Sequence, residues 1–279
     1  MERATAILWR RRIKKAILAL ATAALACIVL AWWFGYIVFL PPGDIVAVWK
    51  DRWWPAHRYG EPLRLVSPDG TKWFIPASWG YNPSHVCWYE KDGQRHEAGE
   101  FAPAEWDQFW YQAAVMLPSG RPVVVWCGGR KGPNALEPGH GCEVAASFYT
   151  GEGWTTPDIV ARGVNPNGLD ATVDKDGRVH VVFTAPLEPR ETYGVLHGFY
   201  PGKAWHALYD DRQWTEAKPL QGRGHYNVDD PILTAAPSGR LILSARVHEE
   251  FSFFPYHTGV QVLDEPYYGR PGRMLPGLW

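Results

Sequence analysis

The sequence predicts an all-β fold, a small β-propeller-like domain of four to five blades of antiparallel strands, after one N-terminal transmembrane helix. Three observations predict this architecture. A turn that contains Gly recurs between β-rich segments about every 50–60 residues, as expected for repeated blades. A second turn, followed by Trp, recurs upstream of the first. A long uncharged apolar run precedes both kinds of turn.

The N-terminal segment has the composition of a membrane anchor. Residues 1–15 end in the basic stretch Arg10–Lys15, and residues 16–43 carry no charged side chain. A helix crosses the hydrocarbon core with ~20 apolar residues, whereas a cleaved signal peptide, the alternative, has a shorter apolar region. Because basic residues stay on the cytoplasmic side, we expect a transmembrane helix at 16–40 in the inner (plasma) membrane, with the rest of the chain in the periplasm.

Four turns predict the hairpins of the domain that follows, residues 41–263. Gly70, Gly120, Gly177 and Gly239 each follow Asp or Ser and separate two β-rich segments. Gly adopts a positive φ at no steric cost, so these positions are typical of tight hairpin turns. The 28 Gly and 24 Pro of the chain fit a protein with many turns, and its 16 Trp provide large packing surfaces.

A second type of hairpin ends in Trp. The sequence "YTGEGW" leads to Trp154, "YDDRQW" leads to Trp214, and a weaker copy surrounds Gly93. We expect these Trp side chains to pack between neighbouring blades. A β-sandwich is the competing architecture, since it also shows short strands at regular spacing. The predicted repeat units are 85–127, 142–185 and 203–247, with a shorter unit at 45–79.

These hairpins resemble the BNR or Asp-box repeats of sialidase-like propellers. The family pattern is Ser/Thr-x-Asp-x-Gly-x-Thr-Trp followed by Pro, and "YTGEGWTTP" and "YDDRQWTEAKP" are similar to it, with Glu152 where the pattern has Asp. The resemblance covers about residues 85–247 and implies a propeller. A sialidase would also bind the carboxylate of its substrate with three arginines. The arginines that follow the last strand of a predicted unit are Arg130, Arg190 and Arg246.

Another set of polar residues lies where the inner strands of the predicted blades begin. Their side chains could bind a glycan or a cation, or act as a glycosidase pair. The alternative is that they cap turns, because Asp and Asn accept backbone N–H hydrogen bonds in loops. The sequence contains no metal or cofactor motif, so we expect neither. The residues are Asp170, His225, Asp229 and Asp230.

Three cysteines lie in the domain that we expect to be exported. Oxidising compartments permit disulfides, and Cys127 and Cys142 stand at the ends of neighbouring β-rich segments. A Cys127–Cys142 disulfide is therefore one interpretation, with Cys87 left over. Three buried thiols are the other.

Aromatic residues cluster after the predicted membrane helix and in the Gly/Pro-rich tail, residues 264–279. They suit lipid headgroups or contact with an integral membrane protein, and packing inside the first blade is the alternative. The net charge of −1 gives no electrostatic argument for nucleic acid. The residues are Trp49, Trp53, Trp54, Tyr59, Tyr267, Tyr268 and Trp279.

Two functional hypotheses follow from the sequence. The first is a single-pass scaffold or binding subunit of a larger membrane protein complex, bioenergetic or transport, that holds partners through its anchor and its β domain. The alternative is a membrane-tethered, sialidase-like protein that binds or hydrolyses glycans. The absence of a catalytic motif from the sequence favours a non-enzymatic function. An enzyme would need convergent carboxylates or arginines, whereas a scaffold would need an apolar surface.

Overall fold

A helix and a short ribbon form the N-terminal part of the structure. They are α1 (Glu2–Trp33) and the antiparallel pair β1 (Ile37–Leu40) and β2 (Asp44–Ala47). The computed structural model describes residues 2–33, 37–40, 44–47, 62–77, 80–81, 85–130, 142–162, 168–186, 202–210, 212–220, 227–235, 241–248 and 257–263.

The helix does not have the extent that the sequence predicts. Within the described ranges, no helix is long and apolar enough to cross a membrane. The predicted transmembrane helix at 16–40 is therefore wrong, and so is the predicted single-pass localisation in the inner membrane with a periplasmic domain. The physical reason is that the apolar run is divided, because α1 ends at Trp33 and Ile37–Leu40 pairs with β2 as a strand.

Four antiparallel sheets, labelled A to D in chain order, form the β domain. Sheet A has the strand order β3-β4-β6-β7, and sheet B has the order β5-β8-β9-β10-β11. The strands of sheet A are β3 (Leu63–Val66), β4 (Lys72–Ile75), β6 (Val86–Lys91) and β7 (Gln94–Glu100). Those of sheet B are β5 (Gly80–Tyr81), β8 (Trp106–Met116), β9 (Pro122–Arg130), β10 (Cys142–Phe148) and β11 (Asp158–Arg162).

The remaining two sheets repeat the same up-and-down order. Sheet C has the order β12-β13-β14-β15, and sheet D has the order β16-β17-β18. The strands of sheet C are β12 (Leu169–Val173), β13 (Val179–Pro186), β14 (Gly202–Tyr209) and β15 (Lys218–Pro219). Those of sheet D are β16 (Asn227–Ala235), β17 (Leu241–His248) and β18 (His257–Leu263).

The Gly-containing turns are hairpin turns with a common geometry, as predicted. Gly70, Gly120 and Gly177 have φ values of 85°, 81° and 84°. In each turn the amide of the Gly donates to the carbonyl three residues earlier, at 2.9–3.1 Å. The amide of that earlier residue donates in turn to the carbonyl of the residue after the Gly, at 2.9–3.0 Å. The β3–β4, β8–β9 and β12–β13 hairpins are therefore copies of one structure.

The hairpins that end in Trp are also copies of each other. Trp154 pairs with Tyr149 through an isolated β-bridge, and Trp214 pairs with Tyr209 in the same way. Trp154 packs against the core between sheets A and B, and Trp214 packs against the core between sheets B and C. The expectation that these Trp side chains lie between neighbouring sheets is confirmed.

The predicted repeat units do not coincide with the sheets. The unit 85–127 combines β6 and β7 of sheet A with β8 and β9 of sheet B, and the units 142–185 and 203–247 cross sheet boundaries in the same way. The reason is that each hairpin that ends in Trp pairs with the hairpin before it and not with the one after it. In sheet B this pairing joins β10 to β9.

Strand β9 shows how the sheets stack face to face. Val123, Val125 and Cys127 point into the core between sheets B and C, whereas Val124 and Trp126 point into the core between sheets A and B. Successive side chains of a strand face opposite sides, so a strand buried on both faces reads as a continuous apolar run. A third core joins sheets C and D. This succession of stacked sheets is the arrangement of propeller blades.

Cys127 and Cys142 are reduced in the structure and do not form the disulfide that was one of the two interpretations, and Cys87 is a buried thiol. In the β9–β10 ladder Cys127 lies opposite Val144, and Cys142 lies opposite Gly129. The two cysteines are thus diagonal neighbours in the ladder, and their thiols interact without a covalent bond.

Candidate functional site

Strand direction brings many of the predicted site residues to one edge of the sheets. In each hairpin with a Gly-containing turn, the strand before the turn begins at the edge where the strand after the turn ends. We call this the upper edge. In sheet B, Arg130 at the end of β9 lies there, opposite Trp106 at the start of β8. In sheet C, Asp170 lies at the start of β12.

Three charged side chains meet at the upper edge of sheet B. Glu143 on β10 forms ion pairs with both arginines, with its Oε2 3.0 Å from Arg130 Nε and its Oε1 2.8 Å from Arg162 Nη1. The Glu143 side chain is 10% exposed, whereas those of Arg130 and Arg162 are 43% and 74% exposed. The Arg130 guanidinium also lies over the ring of the buried Trp106, at 4.9 Å from its centroid. One carboxylate therefore holds two guanidinium groups, and the group carries a surplus positive charge.

Glycines place Arg130 in this position. A Cβ atom on Gly128 would lie 2.2 Å from the backbone oxygen of Gln108, and one on Gly129 would lie 3.2 Å from Gln108 Oε1. The register of β8 and β9 shifts twice next to these residues, which brings the two backbones close together. At Gly128 the near atom belongs to the backbone, so only glycine fits there, whereas at Gly129 it belongs to a side chain that can move. Gly128 therefore permits the close β8–β9 approach next to Arg130.

Asp170 joins two sheets. Its Oδ2 accepts a hydrogen bond from the backbone amide of Leu233 on β16, at 2.8 Å. This oxygen therefore takes part in the contact between sheets C and D, which is not the turn cap that was the alternative for Asp170.

The other predicted site residues are described in part or not at all. Asp229 and Arg246 lie opposite one another in the β16–β17 ladder, at the upper edge of sheet D. Asp230 follows in β16, and the side chains of these three residues lie outside the described part of the structure. Entirely outside the described residues are Arg190, His225, Trp49, Trp53, Trp54, Tyr59, Tyr267, Tyr268 and Trp279.

The sequence did not indicate Glu143, Arg162 or a second polar group, which is buried. In this second group, Asp174 lies at the β12–β13 turn, and its carboxylate is linked to His180 and through it to His206. The sequence "DKDGRVH" contains Asp174 and His180, but its turn residues alone explain the hairpin. Among the described residues, no group of three or more His, Cys, Asp or Glu could hold a metal ion.

Solved structures share this fold at low sequence identity. A protein of unknown function from Dyadobacter fermentans has a TM-score of 0.52 and 14% identity, and the match covers 74% of this chain and 65% of that one. The Hadza microbial sialidase Hz136 has a TM-score of 0.50 and 12% identity, and the match covers 76% of this chain and 45% of the sialidase. The Penicillium chrysogenum α-L-arabinanase, solved with arabinobiose, has a TM-score of 0.50 and 13% identity, and the match covers 76% of this chain and 64% of the arabinanase.

These comparisons define the class of the protein by its fold. The β domain is a β-propeller-like domain of the kind found in a sialidase and an arabinanase. The chain spans less than two thirds of the length of these three structures. No family model matches the sequence, so the resemblance to Asp-box repeats holds for the fold alone.

Proposed function

We propose that the β domain binds a glycan, and specifically an acidic one, at the upper edge of sheet B. The observation that carries the proposal is the pair of exposed arginines, Arg130 and Arg162, held by the buried carboxylate of Glu143. Guanidinium groups donate paired hydrogen bonds that match a carboxylate, and the surplus positive charge favours an anionic ligand.

Ion pairs with Glu143 favour this position of the two arginines before a ligand arrives. Glu143 forms an ion pair with each, and the Arg130 guanidinium lies over the ring of Trp106. A side chain that is held in its binding geometry loses less conformational entropy on binding, so the same contacts give a higher affinity. The remaining N–H groups of both guanidiniums can donate to a ligand, because each guanidinium has five.

Binding is a better proposal than hydrolysis for the residues that the structure describes. A glycosidase needs two carboxyl groups that can exchange protons and attack the sugar. Both oxygens of Glu143 face arginines, and Asp170 Oδ2 accepts from the Leu233 amide. Glu143 therefore positions the two arginines and Asp170 positions the Leu233 amide, so neither is arranged as a catalytic carboxyl group. The likeness to a sialidase and an arabinanase supports a glycan as the ligand class.

The described residues give no support to the membrane-complex scaffold. Its anchor at 16–40 is contradicted, as stated above, and its aromatic contact residues lie outside the described part of the chain. The glycan-binding alternative therefore replaces it as the proposed function.

The test is a binding assay with uronic-acid and sialylated oligosaccharides against neutral ones. We expect Arg162→Gln to weaken binding of the acidic ligand about 10- to 100-fold, the effect of losing one hydrogen bond to a charged group. The matched control is Arg121→Gln, since Arg121 is an exposed arginine of the same sheet at the β8–β9 turn, on the opposite edge. Equal losses in both variants, or no acidic ligand among those tested, would overturn the proposal.

A further inference from the structure

A buried chain of hydrogen bonds runs through sheet C and plays no part in the proposed glycan site. Asp174 Oδ2 lies 3.1 Å from His180 Nε2, and His180 Nδ1 lies 3.0 Å from His206 Nε2. Both imidazole rings are fully buried, and they stack at 5.2 Å between centroids with an angle of 12°. Buried histidines are rare enough outside functional or structural polar networks that this chain needs a physical account.

The Asp174 end of the chain is negatively charged. Its carboxylate accepts from the amides of Asp176 and Arg178, each at 2.9 Å, and from Arg178 Nε at 2.7 Å. Burial would raise the pKa of Asp174, but the hydrogen bonds from His180 and Arg178 outweigh burial and lower it. An ionised carboxylate can only accept, so His180 Nε2 is the donor to Asp174.

The His206 end of the chain is neutral. Burial first, and the neighbouring His180 second, lower the pKa of His206 to about 3. Lys218 on β15 lies directly across the ladder from His206 and adds positive charge on that side. A proton on His206 would therefore be unfavourable for as long as the ring stays buried.

The chain faces sheet D. His206 lies opposite Val182 in the β13–β14 ladder, so the two share one face of sheet C. Val182 belongs to the core between sheets C and D. The described side chains that sheet D packs into this core are apolar, namely Leu233, Ala235, Leu241 and Leu243.

No charge from the described face of sheet D therefore compensates a proton on the histidines. The strand on the other side of β13 contributes Thr172, which lies opposite His180, and Asp170, which is bound to the Leu233 amide. Apart from Asp174, the charged groups around the chain in the described residues are thus Arg178, Asp176, Lys218 and Asp170.

We propose that the Asp174–His180–His206 chain is a pH-sensitive latch between sheets C and D. Mild acid opens the contact with sheet D, while sheets A, B and C stay packed. Sheet D opens first because, in the described residues, it contacts the rest of the domain mainly through β16, which packs against strands of sheet C. Sheet C, by contrast, is also packed against sheet B through a second core.

The direction of the effect follows from proton uptake. When the contact opens, His206 returns to water and to its ordinary pKa near 6.5, so opening binds a proton. Resistance to opening is thus complete above about pH 6.5 and falls as the pH decreases. With a pKa of about 3 in the closed form, the opening equilibrium constant should rise about 30-fold between pH 7.5 and pH 5. Asp174 contributes little in this range, because ordinary Asp titrates below it.

Hydrogen exchange of the full chain, read by mass spectrometry and corrected for the intrinsic effect of pH, tests the latch. We expect exchange in residues 227–248 to rise about 30-fold at pH 5 relative to pH 7.5, with little change in residues 63–130. His206→Gln keeps a donor near the position of Nε2 but cannot take up the proton, so the pH effect should shrink to a few-fold. The control His96→Gln removes an exposed histidine of sheet A and should behave like the unaltered protein.

Three results would overturn the latch. They are an unchanged exchange rate in residues 227–248 at pH 5, the same increase in His206→Gln, and equal increases in all four sheets. If His206→Gln does not fold, the histidine NMR signals of the unaltered protein decide. The latch requires that the His206 signal stay neutral from pH 7.5 to pH 5 in the closed form, and a His206 ring that titrates near 6.5 in the closed form excludes it.

Discussion

Replacing Gly128 with Ala should distort the β8–β9 ladder and displace Arg130. The new Cβ atom would lie 2.2 Å from the backbone oxygen of Gln108 and 3.3 Å from the ring of Trp106. Contacts between carbon and oxygen below about 3 Å are repulsive, so the two backbones must separate by roughly 1 Å. A backbone oxygen cannot turn away as a side chain can. We therefore expect a cost near the upper end of the overpacking range, about 3 kcal/mol.

Thermal unfolding measures this cost. For a domain of this size, about 3 kcal/mol corresponds to a decrease in Tm of roughly 6–12 °C. Gly153→Ala is the matched control, because its Cβ atom would meet no heavy atom within 4 Å and its φ is not positive. Its effect should stay within about 0.5 kcal/mol. Equal Tm values for Gly128→Ala and Gly153→Ala would refute the reasoning that a close backbone approach positions Arg130.

Three further predictions concern stability and reactivity. Gly177→Val should destabilise the domain by about 1–3 kcal/mol relative to Gly153→Val in urea unfolding, because Gly177 has a φ of 84° that a β-branched residue adopts only with strain. Similar urea midpoints would contradict that. Asp170→Ala should cost about 1–3 kcal/mol and accelerate hydrogen exchange in β16, since the Leu233 amide loses its acceptor; unchanged exchange there would disprove it. Cys142 should react with a thiol reagent before Cys127, whose burial raises the pKa of its thiol, and the reverse order by peptide mapping would be evidence against the structure.

Turn chemistry made the hairpins predictable from the sequence. Gly70, Gly120 and Gly177 need a positive φ, and that requirement is local, so the sequence alone carries it. The same holds for the hairpins that end in Trp154 and Trp214. The grouping of hairpins into sheets was not predictable in this way, because β9 and β10 pair across a long connection, and nothing in the sequence of either strand names its partner.

The candidate site was predictable only in part, for the same reason. Arg130 stands out as the residue after a strand, but Glu143 and Arg162 come from two other strands and meet it only through the register of sheet B. The end of α1 at Trp33 was likewise not predictable from the composition of the apolar run. The apolar run has no charge or Pro between Trp33 and Ile37, so the change from helix to strand leaves no signal that its hydropathy could reveal.

The most direct test of the proposed function uses one acidic oligosaccharide and the same oligosaccharide with its carboxyl groups reduced to alcohols. Calorimetry with both ligands isolates the carboxylate from the rest of the sugar. We expect the acidic ligand to bind at least about tenfold more tightly, with an affinity that falls as salt is added. The difference should disappear in Arg162→Gln and persist in Arg121→Gln. Equal affinity for the two ligands, or a preference that Arg162→Gln leaves intact, would contradict the assignment of the upper edge of sheet B as an acidic-glycan site.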